Sequence, residues 1–108
     1  MRNDIIVEKL IAYADKILGY CDGLDYEAFA NDSKLVEACV FNLSQMGELV
    51  NRIDPEFAEQ HPEIRWHDMY GLRNRIVHDY EGVNLQLIWQ IVSDDLVPTK
   101  EALMNIFH

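Results

Sequence analysis

"DSKLVEACVFNLSQMGELVNRI", residues 32 to 53, decides the fold class. Leu35, Cys39, Asn42 or Leu43, Met46, Leu49 or Val50, and Ile53 recur at three- and four-residue steps. That is the period of an α-helix with one face turned to a core, and it shows none of the strict alternation a half-buried strand needs. Asn31, Asp32 and Ser33 supply short oxygen-bearing side chains that can cap the first free N–H groups. The second face is also partly apolar through Val36, Val40 and Phe41, as expected of a helix that packs against more than one neighbour.

The same period appears on either side. From Asp4 to about Tyr20, Ile6, Leu10, Tyr13 or Ala14, and Ile17 make one stripe, and Gly19, Asp22 and Gly23 then mark a turn. The run from Tyr26 to Phe29 fits a single helical turn. Asp54-Pro55 is a helix start, because Asp caps and Pro tolerates a first position whose N–H has no partner in any case. A brief helix is expected there, ending before Pro62, and a longer one from about Trp66 or His67 to Tyr80. Leu85, Ile88, Trp89, Val92 and Leu96 begin a last amphipathic helix, expected to kink or restart at Pro98 and to continue to Phe107. The whole reads as an all-α, up-and-down bundle of four to five helices, a single domain over residues 1–108.

The chain has 49% hydrophobic and 26% charged residues, too apolar for a disordered protein. No apolar run reaches the ~18 residues of a membrane span, and the first turn carries charges and no small-residue cleavage site, so a cytoplasmic protein is expected. Cys21 and Cys39 have no CxxC spacing and are expected as reduced core fillers. A net charge of −10 argues against a broad nucleic-acid surface, and no DNA binding is expected. Between Arg65 and Arg75, however, three arginines face one carboxylate, Asp68, so a polyanion has one local place to bind.

That place is "GLRNRIVHDY", residues 71 to 80. At about 100° per residue, Arg73, Val77 and Tyr80 share one helical face, Asn74 and His78 a second, and Arg75 and Asp79 a third that reads as a solvated ion pair. Arg73 and His78 lie ~140° apart around one regular axis. Either the helix ends near His78, or a second copy of the chain completes a site. Histidine exchanges protons near neutral pH and arginine is a permanent fork for a phosphate. RNA supplies its own nucleophile in the 2′-hydroxyl, so a base, an acid and a cation suffice to cleave it without a metal.

Arg73-x4-His78-x-Tyr80 resembles the R-x4-H-x-Y signature of the HepT-like proteins of the HEPN superfamily. "NLSQMGELVNRI" (42 to 53) is similar to that family's Gly-Glu helix, and residues 64 to 98 follow its pattern almost throughout. The resemblance implies a helical homodimer with the motif in a cleft between protomers. It implies a metal-independent endoribonuclease without cofactor, the toxin of a toxin–antitoxin pair whose partner is a minimal nucleotidyltransferase. Arg73 and His78 are then catalytic, Asn74 supports His78, and Tyr80 is part of the site and the target of AMP transfer by the partner. An adenylate on Tyr80 would put bulk and negative charge beside Arg73. A non-catalytic dimer that binds or scaffolds the nucleotidyltransferase is the alternative.

Phe41 stands where many relatives are expected to carry a basic residue. Glu48 fits equally as a surface carboxylate or as a partner for Arg73 or Arg75. His61, His67, His78 and His108 match no HExxH or His-x3-His spacing, so no zinc site is expected. Trp66, Tyr70 and Trp89 offer rings that could stack on bases, with core or interface roles favoured at this helical spacing.

Overall fold

Four helical columns make the fold in the computed structural model, which describes residues 2–78 and 84–107, without the side chains of 73–78. The elements are α1 (Asn3–Cys21), α2 (Tyr26–Ala30), α3 (Ser33–Val50), α4 (Pro55–Gln60), α5 (Trp66–His78), α6 (Leu85–Gln90) and α7 (Leu96–Asn105). A π-helical turn, Ile91–Asp95, joins α6 to α7. Among the described residues there is no strand, so the all-α expectation holds.

The start of each helix follows from its side chains. Asp25 and Asp32 each accept a backbone N–H two residues into the helix they precede, from Ala28 at 2.8 Å and Leu35 at 3.1 Å. Asn84 does the same for Leu87 at 3.1 Å. A cap of this kind satisfies a donor that has no partner within the helix. Asp32→Ala should therefore lower stability by about 1 kcal/mol in urea unfolding. Asn84, read from the sequence only as punctuation, is a cap as well.

α3 is the centre of the bundle, packed against α1 on one side and α5 on the other, while α7 covers α1. α1 and α3 run in opposite directions. The first residue of α1, Asn3, exchanges two hydrogen bonds with Asp54 beyond the end of α3, and Cys21 at the other end of α1 touches Cys39 near the start of α3. The core takes Ile6, Leu10 and Ile17 from α1, Cys39, Leu43 and Met46 from α3, Met69 and Leu72 from α5, and Ile88, Leu96 and Leu103 from the last column. The α3 stripe is rotated slightly from the expected one. Val36 is buried, Leu35 is half-buried, and Phe41 stands 59% exposed.

The expected break at Pro98 is corrected. The backbone passes through Pro98 in α7, and the irregularity lies one turn earlier. Proline has no N–H for the carbonyl four residues back, here Asp94, and its ring crowds that carbonyl. Widening the preceding turn accommodates both, and the Leu96 N–H accordingly bonds the Ile91 carbonyl, five residues back. On the far side an ion pair between Lys100 and Asp15 fastens α7 to α1.

Candidate functional site

α5 is built from its first turn upward. Ile64 is buried just ahead of it, and the Trp66 indole N–H donates to the His61 carbonyl at 3.0 Å. Phe57 lies edge-on to Trp66, with ring centroids 6.2 Å apart, and also meets His61 at 4.7 Å. The Arg65 carbonyl accepts from Met69 N–H at 3.1 Å, which starts the helical ladder. Asp68, placed where an acid suits the positive end of a helix, pairs with Arg65 at 2.8 Å. Met69 and Leu72, 5% and 6% exposed, then hold this helix in the core.

The motif follows directly from that anchored half. Arg73, Asn74 and His78 all lie on the helical backbone of α5, so the angular separation of about 140° between positions 73 and 78 applies. Their side chains lie outside the described residues, as does the whole of Tyr80, and with them the Arg75–Asp79 pair. Glu48 is half-buried on α3, the helix packed against α5. Its pairing with Arg73 or Arg75 also lies outside what is described.

The structure adds one polar group that sequence periodicity hid. Asn42, read as a core position of the α3 stripe, is 5% exposed and donates from Nδ2 to the Ala38 carbonyl at 2.7 Å. That bond turns the side chain back on its own helix, which lets a polar residue sit in an apolar interface at little cost.

A groove of about 530 Å³ opens between Met46 of α3, the first two turns of α5, and the run from Gln90 to Thr99. Its floor is apolar, and its rim carries Asp68, Asp94 and Asp95 against Arg65. With Arg65 already engaged by Asp68, this rim repels a phosphate chain. The groove lies along the anchored half of α5 and is no cleft for RNA.

Cys21 and Cys39 are free and buried, with their sulfurs 3.6 Å apart. Burial pushes both thiols up, Cys39 to about 12 with the neighbouring Cys21 adding to the shift. A thiol held protonated at neutral pH is a poor nucleophile and a poor metal ligand. Among the described residues, no group of three His, Cys, Asp or Glu side chains gathers to hold a metal. Among them, too, no helix is long and apolar enough to cross a membrane.

The chain can now be set beside known proteins. A relative from Caldanaerobacter subterraneus subsp. tengcongensis, named as a candidate RNase, is 30% identical over 103 residues, covering 89% of this chain and 92% of its own. A candidate RNase of Methanocaldococcus jannaschii is 30% identical over 94 residues, 87% of this chain and 86% of its own. A Thermococcus cleftensis protein named "Probable ribonuclease HepT" is 33% identical over 75 residues, 69% of this chain and 68% of its own. No solved structure gives a significant match. The model of the family described as "Ribonuclease HepT-like" matches residues 10–106, a span that takes in every main helix and the whole motif. The chain belongs to the ribonuclease HepT-like family.

Proposed function

We propose that this protein is a metal-independent endoribonuclease and the toxin of a toxin–antitoxin pair, active in the cytoplasm as a homodimer of a single helical domain. The observation that carries the reading is the family match over residues 10–106, within which Arg73-x4-His78-x-Tyr80 falls on the described α5 and the residues just after it. Arg73 binds the non-bridging oxygens of the scissile phosphate and stabilises the charge that gathers there. The ribose 2′-oxygen attacks the adjacent phosphorus, a base takes its proton, and the bond to the 5′-oxygen breaks as an acid protonates that oxygen. The products are a 2′,3′-cyclic phosphate and a 5′-hydroxyl.

One His78 per protomer can serve as base or acid, and a two-fold dimer supplies both roles in one cleft. That arrangement also resolves the divergence of Arg73 and His78 around a single helix. Asn74, one turn before His78, orients it. Tyr80 completes the site and is the switch: a minimal nucleotidyltransferase partner adds AMP to its hydroxyl, and the added phosphate competes with RNA for Arg73.

The test is cleavage of RNA by the purified, unmodified protein in excess EDTA, with the cyclic phosphate identified by mass spectrometry. Failure to cleave any RNA by protein confirmed free of adenylate, together with partner binding that survives Arg73→Ala and His78→Ala, would leave the non-catalytic scaffold as the reading. Growth on expression separates the two independently, because only a nuclease is toxic in a way that both substitutions relieve.

A further inference from the structure

The fold uses two of the three aromatic residues singled out in the sequence and leaves the third over. Trp66 is half-buried, bonded to the His61 carbonyl and packed on Phe57. Trp89 is half-buried against Phe29, ring centroids 5.2 Å apart. Tyr70 is 45% exposed in the middle of α5, and its ring meets no other ring and no cation among the described residues.

The next residue is Gly71, in the helix interior, where glycine weakens a helix. Nothing within the described fold calls for it. Its backbone has no positive φ, and a Cβ built there would meet nothing within 4 Å. The missing side chain leaves an open shelf beside an exposed ring.

Position and charge say what the shelf is for. On the α5 backbone, Tyr70 precedes Arg73 and Asn74 by three and four residues, so the three positions share one face about one turn, 5.4 Å, apart. This face belongs to the only stretch of the chain in which arginine outnumbers acid, and its one carboxylate, Asp68, is taken up by Arg65. An exposed aromatic next to a phosphate-binding arginine is how proteins hold single-stranded nucleic acid, the cation on the backbone and the ring on a base.

We propose that Tyr70 is a base-stacking residue of the RNA site: its ring, over the shelf left by Gly71, holds the base of a nucleotide next to the one cleaved. This rests on the ribonuclease reading above, and its substrate class is single-stranded RNA, since a paired base has no free face to offer.

The experiment compares wild type, Tyr70→Ala and Tyr70→Phe on short single-stranded RNA, for cleavage, and on the same strand with 2′-fluoro sugars, which lack the nucleophile, for binding. Tyr70→Ala should weaken binding and raise KM by roughly ten- to a hundred-fold with kcat little changed, the usual cost of one lost stack. Tyr70→Phe should bind as wild type does, because the ring face and not the hydroxyl carries the contact. In a series of strands with one base removed at a time, wild type should lose affinity at one position where Tyr70→Ala loses nothing further.

Wild-type cleavage with unaltered binding by Tyr70→Ala overturns this proposal alone. So does a Tyr70→Ala protein that has become monomeric in ultracentrifugation, which would assign Tyr70 to an interface between copies. A wild type that neither binds nor cleaves RNA overturns the ribonuclease reading, and the proposal with it.

Discussion

His78→Ala is expected to lower RNA cleavage by about 10²- to 10⁴-fold, the usual contribution of a positioned proton-transfer group. In the proposed dimer the loss is at the upper end, because one substitution removes base and acid together. It should fall on kcat, since alanine leaves Arg73 in place to hold the phosphate. Mixed dimers sharpen the assignment. With one His78→Ala protomer and one Arg73→Ala protomer, a cleft that draws its histidine and arginine from opposite chains gives a different residual rate from one that draws both from the same chain. The substitution lies beyond the buried anchors Met69 and Leu72, so the fold should survive, and an unchanged urea midpoint would confirm that lost activity is lost chemistry. Full activity in His78→Ala would defeat the proposed mechanism.

Phe29→Ala should cost about 3 to 5 kcal/mol, a large fraction of the ~5 to 15 kcal/mol that holds a domain of this kind together. Phe29 is completely buried, yet it sits on the five-residue α2, whose only other ties are the Asp25 cap and the neighbouring turns. Its ring fills the space between α3 and α6 and lies on Trp89. Removing it leaves a cavity that a short helix cannot close by itself, and Trp89 loses its aromatic neighbour. Urea unfolding monitored by tryptophan fluorescence checks both. Phe41→Ala is the matched control: this ring is 59% exposed and its loss should change the midpoint little. An equal cost at the two positions would mean that Phe41 is covered in solution, for instance by a second protomer.

Periodicity was enough for the main helices because each buries a stripe spaced at three and four residues, and the Asp32 cap lies where α3 begins. It failed at two kinds of position. Asn42 occupies a stripe position, and a polar residue there gives no sign of whether it breaks the core or bonds back to its own helix. Pro98 signals a disturbance, but whether a helix breaks at a proline or widens ahead of it depends on tertiary ties such as Lys100 to Asp15.

The candidate site was legible in another way. The motif at positions 73, 78 and 80 rests on residue types at fixed spacing, and α5 puts two of those positions on one described helix. Tyr70 was harder to place, because an aromatic at helical spacing reads the same whether it is buried or free. Only the burial of its neighbours Met69 and Leu72 turns Tyr70 outward.

The π-helical turn at Ile91–Asp95 has a bearing on chain length. A π turn is an α-helix that has taken in an extra residue without lengthening in proportion. Deleting one residue there would restore ordinary helical bonding locally but rotate everything downstream by about 100°. Lys100 would swing away from Asp15, and Leu103, now fully buried, would turn toward water. The spacing between Trp89 and Leu103 is therefore held more strictly than most of the residues within it, and side chains in that run can change more freely than their number.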